Sequence, residues 1–358
     1  MRCLLLVIAL LMCATAARAV GLITSVPVIP TAPGPRAIVT YHADAARSGN
    51  YLAPGLTWAR AATVHRDLAF DGAVRGPVMA QPLYWRPLRS PHGLVIVTTA
   101  MNVVAALDAR SGREVWRTEL GTPATVLACG GPGPVGITGT PVIDPEDGTL
   151  YVDAMVGGHD GPRHLVFGLS LADGAVLKGW PVPVEARTDA AQFVPDMQNQ
   201  RGALALVGRR LIVPYGSFQD CGTYRGWVVA LDVDQPRVTG AWATRGPKGG
   251  IWAPGGVLSD GASVFFATGN TAPTAEWNDG EAVFHLGTDL RRTWDTRDYF
   301  AACDWPTLDA DDADLAGTNP VFVGLAGPGS PRRFVMAFGK DGRAYVLDRD
   351  DLGGIGGA

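Results

Sequence analysis

Lysine, cysteine and long apolar runs are all scarce in this chain of 358 residues, and their scarcity excludes several classes of protein. Beyond Met12 no apolar stretch is long enough to cross a bilayer as a helix. Basic residues number 30 against 34 acidic ones, so the net charge is −4 and no positive excess is available to neutralise a nucleic acid backbone. We therefore expect no transmembrane segment after Met12 and no nucleic-acid partner.

Short motifs of several enzyme classes are missing as well. The sequence has no Cys-x-x-Cys-His haem attachment, no phosphate-binding loop and no serine nucleophile elbow. Its six histidines show no metal-ligand spacing, so we expect them to be surface or structural side chains. These absences argue against a c-type cytochrome, a P-loop nucleotidase and a serine hydrolase of the α/β type.

The first residues are typical of a secretory signal peptide. Arg2 precedes an apolar run from Leu4 to Met12, and Ala17-Arg18-Ala19 forms a small-x-small cleavage site. The pattern predicts cleavage after Ala19 and a mature chain that is secreted or periplasmic. Residues 20–40, rich in proline and apolar side chains, are expected to form an extended lead-in.

Three cysteines remain after the predicted cleavage: Cys129, Cys221 and Cys303. In an oxidising compartment an odd number permits one disulfide and leaves one thiol. The pair Cys129–Cys221 is favoured because both residues lie in glycine-rich loops next to predicted strands. The pairing stays open at this point.

Glycine and proline, by contrast, are abundant, with 46 and 27 residues, and they separate many short apolar runs. This composition leaves no room for long helices and predicts an all-β chain. Five units of about 50–65 residues repeat the same order of strand, turn, strand, Asp-containing step, turn and Trp. Their first clear strands begin near Leu94, Thr140, Gly202, Trp252 and Asn319.

Such a repeat predicts a β-propeller of four-stranded blades over residues 41–358. Asp-Gly pairs at 147–148, 173–174, 260–261 and 341–342 are strong hairpin signals, which favour type I′ turns. The last unit passes into Leu352–Ala358 before any closing Trp step. Five clear blades therefore predict either a chain truncated at its C-terminus or an open ring, with residues 41–78 as a weak candidate for a sixth blade.

The segment from Ala106 to Trp116 resembles the tryptophan-docking motif of pyrroloquinoline-quinone-repeat propellers. Asp108 and Gly112 make the turn between the outer strands, and Trp116 is a flat anchor between neighbouring blades. Degenerate copies end at Trp180, Trp242 and Trp294. The resemblance implies a propeller similar to the quinoprotein alcohol dehydrogenases, a class that also includes propellers which act only as scaffolds.

The resemblance also implies a cofactor site. Trp252 looks like the residue that stacks under the quinone, Asn270 like a calcium ligand, and Asp314 like the carboxylate that acts as general base. Asp220 lies close to the family's calcium-binding Glu, while Arg201 could hold an anionic group or pin a neighbouring loop. Each also has a structural interpretation: a core Trp, a turn Asn, a solvated acidic loop from Asp309 to Asp314, and a turn Asp.

This sequence departs from the dehydrogenase pattern in lacking an adjacent Cys-Cys pair and the Trp-Asp-Tyr sequence that introduces the base. The prediction is therefore an exported propeller that acts as a binding or scaffold module for an unidentified partner. The alternative is an oxidoreductase that depends on pyrroloquinoline quinone and Ca²⁺ and acts on alcohols or sugars. Reconstitution with quinone and Ca²⁺ would separate the two.

Overall fold

A computed structural model describes residues 23–24, 37–51, 53, 55–86, 92–125, 133–272, 276–325 and 332–357. Strands dominate this part of the chain, and its α-helices are short: α1 Trp58–Ala61 and α2 Trp305–Asp311. Single 3-10 turns lie at Pro195–Met197, Thr296–Asp298 and Leu315–Gly317. None of the described helices has the length and apolar character needed to span a membrane. The predicted signal peptide lies outside the described residues.

Three four-stranded antiparallel sheets follow one another along the chain. The first contains β2 Leu83–Trp85, β3 Leu94–Thr98, β4 Val103–Asp108 and β5 Glu114–Glu119. The second contains β6 Val142–Asp144, β7 Thr149–Val156, β8 Arg163–Ser170 and β9 Val182–Pro183. The third contains β10 Ala205–Val207, β11 Arg210–Tyr215, β12 Trp227–Asp232 and β13 Arg237–Ala243.

The two remaining sheets exchange strands with distant parts of the chain. The fourth contains β14 Leu258–Ser259, β15 Ser263–Thr268, β16 Ala282–Gly287 and β17 Tyr299–Ala301, with β21 Gly354–Ile355 added in parallel to β17. The fifth contains β18 Val321–Leu325, β19 Arg332–Phe338 and β20 Ala344–Asp348, and β1 Ile23–Thr24 pairs with the edge of β18. The predicted repeat of four-stranded blades is confirmed.

Each pair of successive sheets encloses its own apolar core. Separate clusters of buried side chains join the first sheet to the second, the second to the third, the third to the fourth, and the fourth to the fifth. Such sheets need a neighbour on each face, because their strands are apolar on both sides. Among the described residues no strand joins the fifth sheet back to the first, so the sheets form blades of a propeller that is not closed.

The anchoring tryptophans are confirmed in part. Trp116 is buried, and its Nε1 donates to the carbonyl of Leu171 in the second sheet at 3.0 Å, while Trp242 is only 2% exposed. Trp294, in contrast, is 65% exposed, so its expected role as an anchor is wrong. The outer strand of its sheet, β17, begins only at Tyr299. Trp294 consequently lies on the connection before that strand, where the guanidinium carbons of Arg245 and Arg292 lie 5.0 Å and 5.4 Å from its ring centroids.

The Asp-Gly turns form at the predicted places but not as type I′ turns. Gly342 has a φ of 81° and Gly148 a φ of 64°, whereas the preceding aspartates are absent from the left-handed region. The carboxylate of Asp341 instead accepts the N–H of Arg343 at 3.0 Å, which is an Asx-type turn. Only one left-handed residue is therefore needed, and glycine supplies it without steric cost.

Residues 37–51 run along the inner ends of several sheets. Ile38 pairs with Tyr84, and the carbonyls of Val39 and Ala45 accept the N–H groups of the second and fourth sheets, at 2.8 Å each. The side chain of Arg47 is 2% exposed, and its guanidinium donates to the carbonyls of Leu204 and Val257, at 2.9 Å to each from Nη2. One buried cation thus links the inner strands of the third and fourth sheets.

Candidate functional site

Three of the residues singled out from the sequence meet around Gly269. Trp252 precedes the inner strand β14, Asn270 follows β15, and Asp314 lies between α2 and the 3-10 turn at Leu315–Gly317. A Cβ added to Gly269 would lie 2.8 Å from both Cδ1 and Nε1 of Trp252, and closer still to a carboxylate oxygen of Asp314. Glycine at this position is what permits the ring and the carboxylate to approach the same peptide.

Asp314 is held by two elements of the fourth and fifth sheets. Its Oδ1 accepts the backbone N–H of Asn270 at 2.9 Å, and its Oδ2 lies 2.5 Å from Nζ of Lys340. The residue is only 5% exposed, so the expectation of a solvated acidic loop is wrong here. The connection folds into β17 and α2 and turns this carboxylate inward, because a main-chain donor and a cation there stabilise its charge.

Asp309, on α2, is buried as well. Its Oδ1 accepts the N–H of Thr271 at 2.9 Å and its Oδ2 accepts the hydroxyl of Thr271 at 3.0 Å. Burial raises the pKa of Asp309 to about 6, although these hydrogen bonds oppose the rise. The short helix therefore places a second carboxylate beside the segment that carries Asn270.

Glu281 is a third buried acid that sequence reasoning missed. It lies immediately before β16 and has no exposed surface, and its Oε2 accepts the N–H of Leu315 at 2.6 Å. Its Oε1 has no hydrogen-bond partner among the described residues. Burial, with the nearby charges of Asp314 and Asp309, raises the pKa of Glu281 to about 8. The side chain is therefore predominantly protonated at neutral pH.

Lys340 was missed for a different reason. The sequence places it in the hairpin turn between β19 and β20, where a lysine is ordinarily a solvated residue. Only the packing of the fifth sheet against the fourth brings its Nζ to Asp314. The one signal that could have drawn attention to it is rarity, since the chain has only Lys178, Lys248 and Lys340.

Trp252 presents a flat, half-buried ring surrounded by glycine backbone. A Cβ on Gly216 would lie 3.0 Å from its Cε3, and one on Gly250 would lie 2.7 Å from its Cε2. Tyr224 meets the ring edge-on, with centroids 5.5 Å apart and planes at 70°. Larger residues at either glycine would collide with the indole, so this backbone fixes where the ring lies.

Asn270 offers a buried oxygen that nothing in the described part of the chain occupies. The residue is 6% exposed, its carbonyl accepts the N–H of Gly249 at 2.7 Å, and its Oδ1 has no hydrogen-bond partner there. Buried polar atoms without a partner are rare and costly. No group of three or more His, Cys, Asp or Glu side chains in the described ranges has an arrangement that could hold a metal ion.

Asp220 and Arg201 form no hydrogen bond or ion pair with Trp252, Asn270 or Asp314. Asp220 is exposed and accepts the hydroxyl of Tyr224 at 2.6 Å, and Tyr224 in turn packs against Trp252. Arg201 is exposed and forms no hydrogen bond or ion pair with the described residues. Cys221, beside Asp220, is disulfide-bonded. Its predicted partner, Cys129, lies outside the described residues.

Comparisons with known proteins agree with this fold. No family model matches the chain. The curated protein XoxF of Paracoccus denitrificans, named as a dehydrogenase, is 24% identical over 278 residues, which are 76% of this chain and 39% of XoxF. The chain therefore spans well under half the length of that relative.

Solved structures extend the likeness. The quinohemoprotein alcohol dehydrogenase of Comamonas testosteroni superposes with a TM-score of 0.64 and 18% identity, over 89% of this chain and 48% of that one. A europium-containing methanol dehydrogenase gives a TM-score of 0.63 at 17% identity, over 89% and 57%. At such identities the likeness establishes the fold alone. The chain has the β-propeller fold of the quinoprotein alcohol dehydrogenases.

Proposed function

We propose that this chain carries the substrate-oxidising part of a quinoprotein dehydrogenase, an oxidoreductase that acts on alcohols or sugars with pyrroloquinoline quinone and a cation. The observation that carries the proposal is the meeting of Trp252, Asn270 and Asp314 around Gly269. These residues come from separate segments of the sequence, and each has the chemical type that the site of such an enzyme needs. The similarity to proteins named as dehydrogenases supports the same choice.

The donor chemistry fits a hard cation. Oδ1 of Asn270 and Oε1 of Glu281 are buried oxygens without partners among the described residues, and hard cations prefer oxygen ligands. The half-buried ring of Trp252 would form the flat floor beneath a tricyclic quinone. Because these protein ligands are few, the remaining ligands of the cation would have to come from the quinone itself and from water.

Asp314 is the residue best placed to take a proton from a substrate hydroxyl. Each carboxylate oxygen has more than one acceptor position, so its contacts with Asn270 and Lys340 leave room for a substrate O–H. Nζ of Lys340 lies 2.5 Å from this carboxylate, and Glu281, whose pKa burial raises to about 8, would release its proton on binding the cation. A bound quinone would supply the two-electron acceptor that no side chain here can provide.

A binding or scaffold module remains the second candidate. One observation favours it. Of the two metal ligands predicted from the sequence, Asn270 lies in the cluster, whereas Asp220 is exposed and bonds to Tyr224. The comparisons favour the enzyme over the scaffold, although the chain covers only 39% of XoxF. The substrate class and the absence or presence of a protein partner are therefore proposed for this chain and need the tests below.

The test is cofactor binding by the purified chain, followed by activity. Titration with pyrroloquinoline quinone in the presence of Ca²⁺, or of Eu³⁺ in a parallel arm, should give saturable binding that chelator reverses. Dye-linked oxidation of short alcohols and of sugars should then appear. Asp314→Asn should keep quinone binding and lose at least about a hundredfold in rate, as expected for loss of a general base.

Trp252→Ala should weaken quinone binding, whereas Asp234→Asn, a variant of an exposed carboxylate in the turn between β12 and β13, should leave binding and rate unchanged. A chain that is folded by circular dichroism but binds no quinone with either cation would exclude the enzyme and favour the scaffold. Equal loss in Asp234→Asn and Asp314→Asn would contradict the assignment of the base.

Export is part of the proposal too. The apolar leader supports a secreted or periplasmic location, and the disulfide of Cys221 agrees with an oxidising compartment. Expression of the full chain in a Gram-negative host, followed by fractionation and N-terminal sequencing, tests it. Recovery in the periplasm with a new terminus at Val20 is expected, and retention of Met1 in the cytoplasm would contradict it.

A further inference from the structure

An open groove of about 560 Å³ lies between the third and fourth sheets. One wall is the outer strand β13 and the residues after it, and the other is the connection that precedes β17. Residues 188–190 contribute to its lining. None of the residues in the cluster around Gly269 lines this groove, so it is a separate feature of the molecule.

Trp294 forms an exposed platform in the groove. Its side chain is 65% exposed, although a residue of this size usually buries most of its surface in a fold. The guanidinium carbon of Arg245 lies 5.0 Å from a ring centroid of Trp294, and that of Arg292 lies 5.4 Å away. Tryptophan and arginine are, with tyrosine, the residues most enriched at the energetic hot spots of protein interfaces.

A single buried carboxylate fixes both arginines. Asp279 has no exposed surface; its Oδ1 accepts from Nε of Arg245 at 3.1 Å, and its Oδ2 lies 2.9 Å from Nη2 of Arg292. Two guanidinium groups share one negative charge, so the pair keeps a net positive charge. Both cations are also held in place before any ligand arrives, which lowers the entropic cost of binding.

Arg245 and Arg292 keep hydrogen-bond donors that the described residues do not use. Nη1 of Arg245, and Nε and Nη1 of Arg292, form no hydrogen bond with the described residues. Nε1 of Trp242, a buried atom of a residue lining the same groove, likewise has no partner there. The carboxylate of Asp289 accepts the N–H of its neighbour Arg291. Guanidinium donors without a protein acceptor call for oxygen atoms that carry negative charge.

We propose that this groove binds a small monocarboxylate that carries a ring. The carboxylate would accept hydrogen bonds from Arg245 and Arg292, since a planar guanidinium matches the geometry of a carboxylate. Its ring would pack against the exposed indole of Trp294. Asp189 and Asp289 also line the groove, and their charge disfavours anions that carry several charges, such as phosphate.

Isothermal titration of the whole chain with benzoate, glucuronate, acetate and inorganic phosphate tests the proposal. Benzoate and glucuronate should each bind at least about tenfold more tightly than acetate, because only they can contact the indole. Phosphate should bind no better than acetate. Trp294→Ala should remove the advantage of the ring-bearing ligands and leave acetate unchanged, and Arg292→Gln should weaken all three carboxylates.

Trp58→Ala is the matched control, since Trp58 is 93% exposed and lies on α1, away from the groove lining. Benzoate binding must survive in Trp58→Ala. Should wild type bind none of the carboxylates, or should Trp294→Ala bind benzoate as wild type does, the proposal fails. If Arg292→Gln does not fold, Arg245→Lys provides the second test. It keeps the positive charge but loses the planar guanidinium that can donate two parallel hydrogen bonds, and it should weaken benzoate binding.

Discussion

A buried ion pair within the second sheet, on the face that packs against the third, provides the sharpest test of the packing. Nδ1 of His164 lies 2.8 Å from Oδ1 of Asp153, and Nε2 of His164 lies 2.9 Å from the carbonyl of Gln198. Both ring nitrogens thus face acceptors, an arrangement that favours the doubly protonated, charged imidazole. Tyr215 donates its hydroxyl to the other oxygen of Asp153 at 2.9 Å, and the aromatic ring of Phe193 packs edge-on against the imidazole.

Asp153→Asn should destabilise the fold by about 3 kcal/mol, because it leaves one charge of a buried pair without its partner. His164 and Asp153 are each 1% exposed as side chains, so water cannot replace the lost contact. At this size of domain the change corresponds to a fall of roughly 5–10 °C in Tm. Asp234→Asn is the matched control: it removes an exposed carboxylate from Arg209, and its cost should stay below about 1 kcal/mol.

The same pair predicts a pH dependence. Burial opposes the charge on His164, but the attraction and hydrogen bond of Asp153 outweigh it and raise the pKa of His164 above 6.5. The pair's contribution is therefore fully present below pH 6.5 and is lost as pH rises through the folded-state pKa. Urea unfolding, followed by circular dichroism between about pH 5 and pH 9, measures it. If Asp153→Asn unfolds at the same urea concentration as wild type throughout, the charged pair does not exist as described.

Three further predictions follow from single sites. Arg47→Leu should cost about 3 kcal/mol or more in urea unfolding, because the carbonyls it serves, including that of Val257, lose their buried donor. Gly256→Ala, at a φ of 58° and in contact with a neighbouring carbonyl, should cost more than Gly148→Ala, at a φ of 64° in open space, by at least about 1 kcal/mol in the same assay. Burial raises the pKa of Glu281 from 4.5 to about 8, so wild type should lose stability as pH rises through this window. Glu281→Gln should remove that part of the slope and be the more stable protein at about pH 9; an unchanged slope would contradict a protonated Glu281.

Sequence patterns determined the strands, their turns and the class of fold. Apolar runs bounded by Gly, Pro and Asp specify strand and turn locally, because backbone conformation responds to near neighbours. The tryptophan of the motif ending at Trp116 could be assigned a packing role for the same reason. Trp294 fits the repeat equally well in spacing, yet it is exposed, since its sheet starts its outer strand five residues later. Spacing alone does not show which side of a strand boundary a residue will occupy.

The candidate site divides in the same way. Residue types at strand ends were enough to nominate Trp252, Asn270 and Asp314, and their roles stay predictions. That Asp314 is buried against Asn270, 44 positions earlier in the chain, and that Lys340 and Glu281 join them, was decided by tertiary structure alone. These contacts depend on how the fourth and fifth sheets pack face to face, and no local pattern encodes the distance between two sheets. The burial of Glu281 follows from that packing, and burial raises its pKa. From the sequence alone, Glu281 would be taken for an ordinary surface acid.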